Sequence, residues 1–330
     1  MHPSAHLSAI RQGLIVAVVL AQGVWIAAAQ AQTFPAKPVR VVVPFPAGGG
    51  LDTTARAFGI KLNEYWGQTV VIENRPGASG MIGAESVVRA PKDGYTLLIC
   101  SPAEVALNPA LYAKMPYDAF KDLAPISLAA TYPNIVVVHA SVPVKTVKEL
   151  IALSKRTAGG LPFGSSGTGS TQHLAGEWLN HNAGFNLLHV PYKGAAPATI
   201  DLVGGQIPTA ILGLAPVIPH IKSGRVRGIA VTAAQRAAAI PDVPTMNESG
   251  VKFESTQWFG FLAPAGTPAE VIAKIQADIK RAAADPGIRD RLAPLGGDPF
   301  ANTPEEFAAF IRAENAKYAK VIKDAGIKAE

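Results

Sequence analysis

Val39-Arg40-Val41-Val42-Val43 is a β-branched run closed by Pro44, and it leads through Gly48-Gly49-Gly50 into Leu51 to Trp66, where apolar residues recur at helical spacing. The stretch predicts strand, glycine-rich loop and helix. The unit recurs: Thr69 to Glu73 reads as a strand, Met81 to Arg89 as a helix, and Thr96 to Cys100 as a strand that runs into Ser101-Pro102-Ala103-Glu104. Strands alternating with helices imply a parallel sheet with crossover helices on its faces.

Ile135-Val136-Val137-Val138 is the next predicted strand, and Thr146-Val147-Lys148-Glu149 matches a capping box that opens a helix to about Thr157. Pro162-Phe163-Gly164 then enters Ser165-Ser166-Gly167-Thr168-Gly169-Ser170, and Thr171 to Asn182 reads as a helix, so a second strand, glycine-rich loop and helix follow the first. Further strands are predicted at Leu188 to Pro191, Thr209 to Leu212 and Gly228 to Thr232, with helices at Ala198 to Leu202 and Val217 to Lys222. Trp258 to Ala263 reads as a strand; Thr267-Pro268-Ala269-Glu270 and Thr303-Pro304-Glu305-Glu306 read as capped starts of two helices reaching about Ala284 and Ala325. Two α/β units with equivalent loops point to two similar lobes.

The N-terminus adds a destination. Arg11 ends a short polar region, Leu14 to Ala29 is almost uniformly apolar, and Ala29-Gln30-Ala31 has the small-x-small pattern of a signal-peptidase site. Residues 1–31 read as a secretory signal peptide cleaved after Ala31, giving a soluble exported chain; an uncleaved anchor is the alternative, because the apolar run nearly suffices to span a bilayer. The whole chain has 330 residues and a net charge of +6, and no basic run exceeds two residues. A nucleic-acid groove needs clustered cations, so that class is excluded, while small anions stay open as ligands. Cys100 is the single cysteine, which rules out an intramolecular disulfide and a cysteine-based zinc cluster.

Candidate chemistry concentrates in the two loops. Gly48-Gly49-Gly50 joins a strand end to a helix start, where unpaired N–H groups and the positive end of the helix dipole can hold an anion or simply form a tight turn. The G-x-G-x-x-G spacing fails and no Gly-Lys-Ser/Thr follows, so it is neither a dinucleotide fingerprint nor a P-loop. Asp52 can cap its own helix or, facing a site, meet a hydroxyl or ammonium group. Ser165 to Ser170 carries four hydroxyls and two glycines immediately before a helix, which suits a carboxylate without any side-chain cation. A secreted serine hydrolase with His173 as base is the sharp alternative, but Gly164-Ser165-Ser166-Gly167-Thr168 breaks the G-x-S-x-G pattern. His173, His181 and His189 are eight residues apart, which does not suit a metal, and no cofactor is expected. Tyr192 can supply a phenol to a cleft or lie on a solvated turn. One helix N-terminus contributes roughly 0.3 to 1 kcal/mol, up to about 2 when partly buried, whereas micromolar binding needs about −8 kcal/mol. Two loops closing on one acid come nearer to that than one.

Several motifs occur in order: Pro38-Val39-Arg40-Val41-Val42-Val43-Pro44-Phe45-Pro46-Ala47-Gly48-Gly49-Gly50, Glu73-Asn74-Arg75-Pro76-Gly77-Ala78-Ser79-Gly80 and Asp93-Gly94-Tyr95-Thr96-Leu97. Ser165 to Ser170, His189-Val190-Pro191-Tyr192-Lys193-Gly194 and Pro241-Asp242-Val243-Pro244-Thr245 follow. With the export signal, the chain resembles the Bug (Bordetella uptake gene) or TctC-type extracytoplasmic solute receptors of tripartite tricarboxylate transporters. The resemblance covers essentially the whole mature chain. It implies an α/β, periplasmic binding protein type II-like fold, with two α/β lobes and a ligand cleft between them. The implied division is residues 32–134 for the first part of lobe 1, 135–255 for lobe 2, and 256–330 for the return strand and C-terminal helices of lobe 1, with crossings near Tyr132 to Val137 and Glu254 to Phe259. It also implies a monomer without catalysis that passes a small carboxylic acid to membrane partners; a sensory receptor would use the same fold. Carried over by motif, the site comprises Phe45, Pro46, Ala47, Gly48, Gly49 and Asp52 with Ser165, Ser166, Gly167, Thr168, Gly169 and Ser170. Ser101, Ala103 and Tyr192 are weaker members.

Overall fold

The β-branched run forms the first strand where the sequence places it, β1 at Val39–Val43, and its side chains are buried on both faces except at Arg40. The structure is a computed structural model that describes residues 34–327, so the signal-peptide reading lies outside the described residues. The account that follows concerns the compact unit from Lys37 onward. After β1 come α1 (Gly50–Trp66), β2 (Val70–Asn74), α2 (Met81–Val88) and β3 (Thr96–Cys100). A π-helical turn at Ala103–Leu107 runs into the short α3 (Asn108–Leu111), and β4 spans Leu123–His139. The second unit contributes α4 (Val147–Arg156), β5 (Leu161–Ser165), α5 (Thr171–Ala183), β6 (Leu187–Pro191), α6 (Ala195–Val203), β7 (Thr209–Gly213), α7 (Ile218–Lys222) and β8 (Val226–Val231). The chain ends with β9 (Thr256–Pro264), α8 (Ala269–Ala283), α9 (Pro286–Leu292), β10 (Asp298–Pro299) and α10 (Pro304–Ala325).

The strands line up in the order β2-β1-β3-β9-β4-β7-β5-β6, with β8 and β10 also paired to β4. The sheet is mixed rather than parallel throughout. β1 pairs in parallel with β2 and β3, and β5 with β6 and β7, as expected of crossover units, but β9 runs antiparallel to both β3 and β4, and β7 and β8 run antiparallel to β4. Long β4 is the connector: its residues up to Pro133 pair with β9, and from Asn134 onward it pairs with β7 and β8. Sequence periodicity reveals only its Ile135 to Val138 portion. Pro125 and Pro133 interrupt the earlier part, and register shifts between Pro125 and Ser127 and between Leu128 and Ala130 break its alternation.

Beyond the connector's midpoint the alternation is clean. Val136 and Val138 join a core with Leu150, Phe163, Leu179 and Met246, while Ile135 and Val137 enter the opposite core with Leu202, Leu212 and Val231. A separate core under the first strands gathers Val42, Leu98, Trp258, Leu262, Phe307 and Ile311, so α10 returns its apolar face to the half of the sheet that holds β1. Its start is as the sequence predicts: Thr303 accepts from the Glu306 N–H while the Glu306 carboxylate accepts from the Thr303 N–H. Thr146 and Glu149 repeat the device at α4. Thr267 does not. Its hydroxyl donates to the Pro264 carbonyl, and α8 begins at Ala269 with Pro268 as a cap that lacks a side-chain acceptor. No described helix is long and apolar enough to cross a membrane.

Candidate functional site

Strand direction places the candidate loops. Since β9 runs against both β3 and β4, the strands β1 and β3 run the same way as the first half of β4, toward Pro133. Since β7 runs against β4 and with β5, and β5 runs with β6, the strands β5 and β6 run back toward Asn134. The carboxyl ends of β1, β3, β5 and β6 therefore all face one seam, where β4 changes partners. Ligands of α/β sheets bind outside the carboxyl ends of strands. The Phe45 to Gly49 loop, Ser101, the Ser165 to Ser170 loop and Tyr192 are the residues that leave those four ends.

On the first loop, Pro46 to Gly49 are exposed and Gly49 caps α1 without a side chain, so the first-turn N–H groups of α1 are left to other acceptors. Asp52 is turned inward. Its buried carboxylate accepts from the Gly48 N–H at 2.9 Å, Arg56 Nε at 3.0 Å and Asn74 Nδ2 at 3.0 Å, and Asn74 Nδ2 also donates to the Phe45 carbonyl at 3.0 Å. Burial pushes this carboxyl up, but the Arg56 guanidinium with the Gly48 and Asn74 donors outweighs it and holds the group below its usual value. Asp52 thus buckles the loop from behind, its charge met by the Arg56 guanidinium. A β-carbon at Gly50 would touch the ring of Phe259 at 3.6 Å, and Tyr132, whose ring lies 5.0 Å from Phe259, shares a 2.6 Å hydrogen bond with Thr54. Aromatic rings therefore back the start of α1.

The second loop is tied down more heavily. Ser165 is fully buried; its Oγ shares a 2.7 Å hydrogen bond with His189 Nε2 and accepts from the Gly167 N–H at 3.1 Å. Ser170 caps α5 by accepting from the His173 N–H, and His173 Nδ1 accepts from the Gly169 N–H at 3.1 Å. His173 is thus a first-turn residue that bonds its own loop, and it makes no pair with Ser166. Its ring stacks on His189 at 3.8 Å. Burial, then the neighbouring His189, pushes His173 down to about 3, and burial pushes His189 down to about 4, so both rings are neutral at neutral pH. Tyr192 N–H and Gly194 N–H donate to the carbonyls of Ser165 and Ser166. Gly167 has φ +130°, and a β-carbon there would lie 2.9 Å from the Tyr192 carbonyl, so only glycine fits. Ser166 keeps a half-buried hydroxyl with no hydrogen bond among the described residues.

The weaker candidates are occupied internally. Tyr192 Oη donates to Asp201 at 2.8 Å, and burial followed by that carboxylate raises the phenol to about 12. Ser101 donates both its N–H, at 2.7 Å, and its hydroxyl, at 3.0 Å, to Glu104 Oε2, and Ser101 Oγ accepts from the Ala103 N–H. Glu104 is fully buried, and its Oε1 has no partner.

Sequence reasoning missed the polar knot at the seam itself. Asn134 Oδ1 accepts from Gln172 Nε2 at 2.9 Å, and the Asn134 carbonyl accepts from Thr232 Oγ1 at 3.1 Å. Thr232 Oγ1 also donates to the Ser255 carbonyl. This buried set joins β4, the first turn of α5 and the segment entering β9. Nothing local marks it, because Asn, Gln, Thr and Ser are ordinary loop residues until the strands bring them together.

Two groups of strands that point their carboxyl ends at a common seam, each ending in an N–H-rich loop before a helix, define a binding protein of the periplasmic type II-like class. The sequence model of the tripartite tricarboxylate transporter family receptor matches residues 54–327, and the chain belongs to that family. It is 36% identical to a solved structure of the periplasmic binding protein BugD, with a TM-score of 0.77, covering 90% of this chain and 100% of that one. Against Rpa4515 of R. palustris, solved with adipate, the identity is 36% and the TM-score 0.81, with 89% and 99% of the chains covered. Against MatC of Rhodopseudomonas palustris, solved with bound malate, the values are 31% and 0.74, with 88% and 100% covered.

Proposed function

We propose that this chain is an exported periplasmic receptor, monomeric and without a chemical step of its own. It closes two lobes over a small carboxylic acid and delivers it to the membrane components of a tripartite tricarboxylate-type transporter. The lobes are residues 32–134 with 256–330, and residues 135–255, separated at the point where β4 changes partners. The observation that carries the reading is the convergence of the Phe45 to Gly49 and Ser165 to Ser170 loops on one seam from opposite directions. Each loop offers helix-start N–H groups, and Ser166 adds a hydroxyl, so an acid with two carboxylates engages both loops at once. The adipate and malate named for the two related structures support a dicarboxylate. Asp52 and Glu104 act behind the loops rather than on the ligand.

Calorimetric titration of the purified protein with adipate, malate, citrate, glutamate and benzoate tests this reading, with saturable heat expected from at least one acid. Absence of heat across the panel, together with no small molecule released from natively purified protein in mass spectrometry, refutes it. The 2.7 Å contact of Ser165 with His189 is the one observation that favours a secreted serine hydrolase. Ester turnover lost in Ser165→Ala would establish that reading; a wild-type protein without turnover removes it.

A further inference from the structure

The floor of the seam carries a polar side chain that belongs to neither loop. Gln257 is the partner of Tyr132 where β9 runs antiparallel beside β4, so the two side chains lie on one face of the sheet. Asn134, two residues beyond Tyr132 on β4, shares that face. Tyr132 shares its hydrogen bond with Thr54 near the start of α1, and Asn134 accepts from Gln172 in the first turn of α5. The face that holds Gln257 is therefore the one on which both loop helices begin. Gly213 of β7 pairs with Asn134, and a β-carbon there would lie 3.7 Å from Gln257 Oε1, so the amide reaches from β9 toward β7 across the seam.

Gln257 is half-buried. Both its amide atoms keep accessible surface, and neither has a hydrogen-bond partner among the described residues. When an acid fills the seam and displaces water, the amide needs a partner from the ligand, because a polar group shut away unpaired weakens binding. The carboxylates of a diacid go to the two loops. What lies between them meets an amide with one acceptor and two donors, which suits a hydroxyl, itself both donor and acceptor. An ammonium would need a carboxylate, and Asp52 is already held by Gly48, Arg56 and Asn74.

We propose that Gln257 is a specificity-determining residue, selecting dicarboxylic acids with a hydroxyl on the carbons between their carboxylates over the unsubstituted acids of the same length. The inference rests on the carboxylate reading and goes beyond it, since the loops bind carboxylates and do not tell such a pair apart.

The probes are two matched pairs, malate (each enantiomer) against succinate and 3-hydroxyglutarate against glutarate, titrated calorimetrically into the wild type and Gln257→Leu. The wild type should favour the hydroxy acid of at least one pair by roughly 5- to 150-fold, the range expected when the bare acid leaves one enclosed polar group unpaired. In Gln257→Leu that preference should vanish. General loosening of the fold would weaken both members of a pair alike and leave their ratio standing. Gln257→Met carries the same expectation and serves if the leucine variant fails to fold. Equal affinity within each pair in the wild type, a preference that persists in the variants, or binding of other acids with neither pair overturns the proposal. Absence of binding by every acid instead overturns the carboxylate reading itself, and this inference with it.

Discussion

Glu104→Gln removes a carboxyl that the fold holds in an unfavourable place. Glu104 sits in the π-helical turn after β3 with no exposed surface; Oε2 accepts from Ser101 twice, and Oε1 faces Gly80, where an added β-carbon would lie only 2.0 Å away. Burial dominates and raises this carboxyl from 4.5 to about 7 against the opposing N–H and O–H donors of Ser101. For an acid with a raised native pKa, the folded protein binds more protons than the unfolded chain. The stabilisation is complete below about pH 4.5, is lost as pH rises toward about 7, and changes no further above that. A displacement of about 2.5 pH units at roughly 1.4 kcal/mol each corresponds to about 3–4 kcal/mol in total, of which roughly 2 to 3 kcal/mol falls between about pH 5 and pH 8. Urea unfolding of both proteins across that range isolates the effect, because every other titrating group is shared. The wild-type stability minus that of the variant should decline by that amount with rising pH, on top of a constant offset for the amide. A difference flat to within about 0.5 kcal/mol would refute the argument that burial controls Glu104.

Asp52→Asn should weaken the loop buckle, since the amide cannot accept from Gly48, Arg56 and Asn74 together. The expected loss is about 1–3 kcal/mol of stability with weaker calorimetric binding of the best acid; unchanged affinity counts against Asp52 as the support of that loop. Gly167→Ala forces a side chain into a φ of +130° and toward the Tyr192 carbonyl. Binding at the seam should fall at least tenfold while far-ultraviolet circular dichroism stays native, and full affinity would show that the second loop is not used. His189, pushed down to about 4 by burial, stays neutral in the fold while the unfolded chain takes up a proton below about 6.5, so its contribution is lost as pH falls through that window. His189→Gln should flatten the acid limb of the thermal-melting profile between about pH 6.5 and 4, and an unchanged limb rejects the assignment.

The sequence alone settled what depends on a few neighbouring residues. Val39–Val43 forms a strand through β-branched stiffness, and Thr146 and Thr303 start their helices with reciprocal capping bonds to residues three positions on. Even so, Thr267 carries the same local signal as Thr303 and turns its hydroxyl to Pro264 instead. The tertiary structure decided everything that depends on which strands meet. The prolines at 125 and 133 hid the length of β4, and the antiparallel placement of β9 and β7 is invisible to periodicity, which reports the faces of a strand and not its neighbour or direction. Those pairings turn four strand ends toward one seam and bury Asn134, Gln172 and Thr232 as a polar knot. They also stack His173 on His189 and enclose Glu104. A side chain's chemistry is written in its own residue, but its solvation, its partner and its charge state follow from atoms that are distant in the chain.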